Sequence, residues 1–201
     1  MFDNLHYFSS KRDISVVTLP FDLNEIVTEW DELRLIMAKD LPMDFSRDEW
    51  AYLVSFIEKD KLLLPYNNVF GEQIETYEQA VGYLLRPRGS IALWLPNNVS
   101  LLGPLILVLL SLTGNPVYIK GGTESKDLTG TFLDYCMENL SEGVLKTYLD
   151  EEITLEYFDR NDSRNEEMSM NSDIRIAFGS DESVKSIESL PHCINSTAIF
   201  F

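Results

Sequence analysis

The sequence predicts an α/β protein in which a helical N-terminal region precedes a doubly wound parallel sheet. Three observations predict it. The first 70 residues carry apolar positions at helical spacing. From Ser90 onward, five short apolar runs alternate with four segments of helical character, the order that parallel βαβ units require. The first of those runs, "SIALWL", is continuously apolar, as a strand covered on both faces should be.

Residues 1–70 form the helical region. In "NEIVTEWDELRLIMAKDL", Ile26, Val27, Trp30, Leu33, Ile36 and Met37 fall near one helical face. In "SRDEWAYLVSFIEKD", Ser46 stands three residues before Glu49, the capping-box signature, and Trp50, Leu53, Val54 and Ile57 follow at core spacing. These aromatics read as packing groups. Residues 71–90 connect this region to the next. There "ETYEQAVGYLLRPRGS" alternates around Ala80 to Leu84 and turns over Pro87–Gly89, which suggests a strand or hairpin arm.

Residues 91–201 hold the sheet. After "SIALWL" comes Val99–Leu112, an apolar stretch of 14 residues interrupted by Gly103 and Pro104. A membrane-spanning helix needs about 20 apolar residues, so this stretch reads as a buried crossover helix with Pro104 in its first turns. "PVYIK" is the second strand, and "ESKDLTGTFLDYCMENL" is an amphipathic helix with Leu128, Phe132, Leu133, Tyr135 and Cys136 inward. "ITLEYF" is the third strand, and the acidic "NDSRNEEMSMNSD" gives a short helix and a surface loop. "IRIAF", the short helix "DESVKSIESL" and the final strand "STAIFF" complete the series. That last run reads as a buried strand reached just as the sequence stops at Phe201, so a truncated, Rossmann-like sheet is expected.

Composition narrows the function. With 16 Lys and Arg against 33 Asp and Glu, the net charge is −17, which argues against a nucleic-acid partner. Its plain consequence is solubility. Two cysteines, Cys136 and Cys193, make neither a disulfide framework nor a metal pattern, and His6 and His192 lie far apart, so no metal site is expected. The N-terminus "MFDNLHYFSSKRD" has no apolar segment of a secretory signal, and a cytoplasmic location is the expectation.

Ligands of open parallel sheets bind beyond the carboxyl ends of the strands. Three such ends carry chemistry: Pro96-Asn97-Asn98, Lys120-Gly121-Gly122-Thr123-Glu124, and Gly179-Ser180-Asp181. An Asn amide can donate to a developing oxyanion. Lys120 can pair with a ribose or phosphate oxygen, and Gly121 and Gly122 let a nucleotide approach the backbone. Gly179 and Ser180 precede a helix whose N–H groups and dipole suit a phosphate. Each signal also has a structural reading: a turn or helix cap for Asn97-Asn98, a solvated Lys, an ordinary N-terminal turn for Gly-Ser. No G-x-G-x-x-G fingerprint is present.

In order, the three ends resemble one family. "LPNNVSLLGPLILVLLSLTGNPVYIKGGTES" is similar to the cofactor-binding segment of the aldehyde dehydrogenase superfamily: Pro-x-Asn, an apolar helix, Gly-Asn, a strand and Lys. "SDIRIAFGSDESVKSI" resembles its later strand ending in Gly-Ser before a helix, and "LLRPRGSIALWLPNN" its entry. Within the superfamily the sequence most resembles the acyl-CoA reductases related to the fatty-acid reductase of bacterial luminescence, over roughly residues 80–190. The resemblance implies that residues 91–201 are a cofactor-binding domain of an oxidoreductase that reduces fatty acyl-CoA to aldehyde through an enzyme thioester. It implies that Asn98 polarises the reacting carbonyl, that Lys120 contacts the adenosine ribose or a 2′-phosphate, and that Gly179 and Ser180 contact the pyrophosphate. Thr123 stands where many NAD-preferring members carry Glu, which favours NADPH, while neighbouring Glu124 keeps NADH as the alternative. The family's nucleophilic cysteine lies in a separate domain with no counterpart here: Cys136 reads as a buried hydrophobe, and Cys193 follows Pro191-His192 with no paired base evident. The chain alone is therefore expected to be inactive. Superfamily members commonly oligomerise, so a homo-oligomer is expected. The alternative is a non-catalytic interaction module that uses "STAIFF" to extend a partner's sheet.

Overall fold

A computed structural model of the protein describes residues 23–70, 87–122 and 127–201. Three helices open it: α1 (Leu23–Met37), α2 (Arg47–Phe56) and α3 (Lys59–Phe70). The expected capping box starts α2. The Ser46 hydroxyl accepts from Glu49 N, and the Glu49 carboxylate accepts from Ser46 N at 2.9 Å. On α1, Ile26, Val27, Trp30, Leu33 and Met37 are buried. Ile36 is not; it is 42% exposed, because helical spacing sets it about 120° round from Trp30, whereas the buried residues all fall within about 60° of it.

The sheet consists of β1 (Ile91–Trp94), β2 (Val117–Lys120), β3 (Ile153–Glu156), β4 (Ile174–Ala177) and β5 (Thr197–Phe200). Its order is β3-β2-β1-β4-β5, and every pairing is parallel. All five expected strands are present. The crossovers are α4 (Leu102–Ser111), α5 (Thr129–Asn139) with α6 (Val144–Glu151), α7 (Arg164–Met170) and α8 (Asp181–Glu188). Pro104 sits in the first turn of α4, where its missing N–H costs no helix bond.

Strand alternation explains the unbroken apolar runs. Ile91 and Leu93 of β1 face a large core shared with α1, α2, α4, α5 and α6. Ala92 and Trp94 face a smaller core with Phe158, Met168 and Ala177, packed by Ile187 and Leu190 of the α8 segment. The helical region is joined to the sheet through the large core: Trp30 stacks on Phe132 of α5 with ring centroids 6.2 Å apart, and its indole N–H donates to Ser111 Oγ of α4 at 2.9 Å.

Two expectations are corrected. Helix α6 is absent from the sequence reading. Gly143 offers it no side-chain cap; instead Glu29 of α1 accepts from Val144 N at 3.0 Å and Leu145 N at 2.8 Å, so the start signal is 115 residues distant in the chain. The final strand is not buried: among the described residues β5 pairs with β4 alone, at the sheet edge, and Ile199 and Phe201 are 41% and 66% exposed. Residues 1–22 and the expected arm over 71–86 lie outside the described residues.

Candidate dinucleotide site at the sheet's switch point

Winding places the site. From β1 the chain steps outward through β2 to β3, then crosses back to set β4 on the other side of β1. The connections after β1 and β4 therefore leave in opposite directions and open a crevice beyond their carboxyl ends. A cleft of ≈ 380 Å³ occupies that position. Its walls include Asn97 and Asn98 after β1, Lys120 at the end of β2, and Gly179 and Ser180 after β4. Register explains the convergence: Trp94 pairs with both Lys120 and Ala177, so the three strands end level.

Asn97 and Asn98 form an exposed turn between β1 and α4. The turn is tied back on its far side, where Ser100 Oγ donates to Glu49 Oε1 at 2.6 Å and Ser100 O accepts from Leu128 N at 3.2 Å. The capping Glu49 thus also anchors the loop that carries the asparagines.

Lys120 is buried, at 9% exposure, on the same sheet face as Trp94. Its Nζ donates to Gly121 O at 3.2 Å and lies 5.6 Å from the Phe158 ring centroid. Burial pulls its pKa below the ordinary lysine value, while the nearby Asp159 and Asp127 carboxylates oppose that shift. Gly121 and Gly122 stand just beyond, outside the cleft wall. A Cβ on Gly121 would come within 2.3 Å of the Tyr157 ring, so the close neighbour demanding glycine there is a tyrosine side chain. Asp127 binds the start of the next helix to this turn, accepting from Thr129 N at 3.0 Å, from Thr129 Oγ1, and from Gly122 N at 3.4 Å. Thr123 and Glu124 lie outside the described residues.

Ser180 is the N-cap of α8, its hydroxyl accepting from Ser183 N at 3.4 Å. Gly179 N is already used, donating to Phe201 O at 3.2 Å. The first turn of α8 carries Asp181 and Glu182. These carboxylates suit the helix dipole but oppose an incoming anion.

The sequence reading missed several contributors. The loop after β3 brings Arg160 and Asn165 to the cleft, and Trp94, Phe178 and Ile187 supply apolar wall. Asn165 organises that loop. Its amide donates to the carbonyls of Asp159, Arg160 and Asp162, while its oxygen accepts from the Trp94 indole. Nearby, Arg164 stacks 4.3 Å from the Phe158 centroid and pairs with Glu156 and Asp162. The only local signal for these residues was the polar "DRND" after a strand, which reads as an ordinary surface turn. Cys136 is fully buried, and burial pushes its thiol pKa up; Cys193 is exposed, and neither lines the cleft. Among the described residues no helix is long and apolar enough to cross a membrane, and no group of three His, Cys, Asp or Glu side chains could hold a metal.

Together these groups make a crevice with two cations, hydroxyls at a helix start and an apolar wall, a donor set that fits a phosphate-bearing nucleotide with a flat ring. A family profile described as acyl-CoA reductase (LuxC) matches residues 66–201. No curated protein matches by sequence. Among solved structures, the chain is similar to an NAD-dependent benzaldehyde dehydrogenase from Corynebacterium glutamicum, with a TM-score of 0.53 and 11% identity over 91% of this chain and 42% of that one. It is also similar to a gamma-glutamyl phosphate reductase from Thermotoga maritima, with a TM-score of 0.48 and 14% identity over 89% of this chain and 46% of that one. The chain thus spans less than half the length of each, and the first likeness shows the aldehyde dehydrogenase fold over that portion.

Proposed function

The chain belongs to the acyl-CoA reductase (LuxC) family, and on that premise we propose that it is the cofactor-binding part of an enzyme that reduces fatty acyl-CoA to aldehyde with NADPH. The observation carrying this reading is the convergence of Asn98, Lys120, Gly179 and Ser180 on one crevice at the switch point of the sheet. A nicotinamide dinucleotide held there by Lys120, Ser180 and the start of α8 would supply hydride to the acyl carbon.

Lys120 holds the adenosine ribose, its buried ammonium directed by the Phe158 ring and the end of β2. The start of α8, with Ser180, receives the pyrophosphate through its N–H groups and dipole. The Asn98 amide donates to the carbonyl oxygen as negative charge develops on it, a term worth roughly 3–4 kcal/mol where such a donor is removed from other enzymes. Neither Cys136 nor Cys193 lines the cleft, so neither is assigned as the thiolate that takes the acyl group from CoA and releases CoA thiol. Acyl-CoA as substrate, NADPH over NADH, residues 91–201 as the nucleotide-binding unit, a homo-oligomer and a cytoplasmic location belong to the same proposal.

The test is titration of the full chain with NADPH and NADH. Binding that weakens about tenfold or more in Lys120→Ala supports the reading. A chain that binds neither nucleotide and yet forms a stable oligomer would favour an interaction module instead.

A further inference from the structure

The two charged side chains lining the cleft, Lys120 and Arg160, are held very differently. Lys120 is buried against Phe158 and its own strand end. Arg160 stands in the β3–α7 loop with its side chain 61% exposed. Its backbone is fixed, because Asn165 donates to its carbonyl and to those of Asp159 and Asp162, and Trp94 holds Asn165 in turn. Its head group is held slackly. Nη1 and Nη2 both reach one oxygen, Glu182 Oε1, at 3.4 Å. A charge-assisted pair usually closes to about 2.7–2.9 Å, and Arg prefers a two-oxygen fork. Glu182 is itself 81% exposed in the first turn of α8, next to Asp181. A firmly based guanidinium therefore faces the start of α8, restrained among the described residues by a long, solvated ion pair.

We propose that Arg160 binds the dinucleotide's pyrophosphate and that Glu182 competes with that phosphate for the same guanidinium. The inference rests on the dinucleotide reading above. A phosphate offers paired oxygens to both N–H groups of the fork, at shorter distance than Glu182 does. Glu182 and Asp181 place negative charge where the phosphate would lie, so the ion pair sets affinity: it opens when the nucleotide enters and re-forms when it leaves. NADPH and NADH share the pyrophosphate, so Arg160 acts on both alike.

The experiment titrates the full chain with NADPH and with NADH, followed by nicotinamide fluorescence. It compares the parent, Arg160→Gln, Glu182→Gln and their double variant, with Lys120→Ala as reference. Both substituted side chains are exposed, and unchanged thermal melts confirm folding. Arg160→Gln raises both dissociation constants about tenfold. Glu182→Gln lowers both about threefold, a gain that a merely structural pair would not give. In the double variant the gain from Glu182→Gln is smaller than in the parent, because the competition for Arg160 is gone and only direct repulsion of the phosphate is left to relieve; an equal gain overturns the competition. Unchanged constants in Arg160→Gln, beside a weakened Lys120→Ala, overturn the role of Arg160 and leave the dinucleotide reading standing. A loss confined to NADPH overturns the pyrophosphate assignment in favour of the 2′-phosphate. A parent that binds neither nucleotide overturns both readings together.

Discussion

Trp94 Nε1 donates a 2.9 Å hydrogen bond to Asn165 Oδ1, joining the end of β1 to the first turn of α7 across 71 residues of chain. Both side chains are buried. The indole lies on the cleft side of the sheet, so one polar contact couples the central strand to the loop that presents Arg160. Removing the Asn165 side chain leaves a buried indole N–H without an acceptor and takes one donor from each of three loop carbonyls, of which Asp159 O and Asp162 O keep a backbone donor. Asn165→Ala should cost about 2–3 kcal/mol of stability, read from urea denaturation by tryptophan fluorescence. A change below about 0.5 kcal/mol would mean the loop is held by its turns alone.

Glu29 caps a helix that is remote in sequence. Glu29→Ala should lower stability by about 1–2 kcal/mol and speed amide exchange at Val144 and Leu145, whose N–H groups it accepts. Glu29→Gln keeps one accepting oxygen and should fall between. Exchange rates unaltered in both variants would show that α6 starts without this cap.

The two thiols should react very differently. Cys136 is fully buried and its thiol pKa is raised by burial, while Cys193 is exposed. Iodoacetamide should label Cys193 in the native protein and Cys136 only in denaturant, as read by peptide mass. Native labelling of Cys136 would require α5 to open far more readily than its core position implies.

Alkaline pH should destabilise the fold through its tyrosines. Burial, then the hydrogen bond to Glu156, raises Tyr118 to about 12, and burial raises Tyr148, whose hydroxyl donates to Asn115 O at 2.6 Å. Above the unfolded value of 10.0 the unfolded chain loses these protons first, so the folded state binds more of them. Their stabilisation is complete below pH 10 and is lost as pH climbs through the folded values. Lys120 acts with the opposite sign: its pKa is lowered in the fold, so its contribution rises with pH up to the unfolded value of 10.5. Urea midpoints should therefore fall between pH 10 and 12, and less steeply in Tyr118→Phe. An equal slope in that variant would remove Tyr118 from the account.

Much of this was legible in the sequence because the causes are local. Strand-length apolar runs, the Ser46–Glu49 box and Pro104 at a helix start each act within a few residues. Asn98, Lys120, Gly179 and Ser180 could be placed at strand ends, and parallel pairing then put those ends on one edge. Helix α6 and the Asn165 hub could not be read this way. Their partners, Glu29 and Trp94, are 115 and 71 residues away, and neither leaves a trace in local spacing.

By itself the sequence determined the five strand segments, most of the helices and the residues near each strand end, since apolar period and capping chemistry act along the chain. Only the tertiary structure decided the strand order, the edge position of β5 and the entry of Arg160 into the cleft opposite Glu182. Those follow from which surfaces bury one another, a relation between distant segments that no local pattern contains.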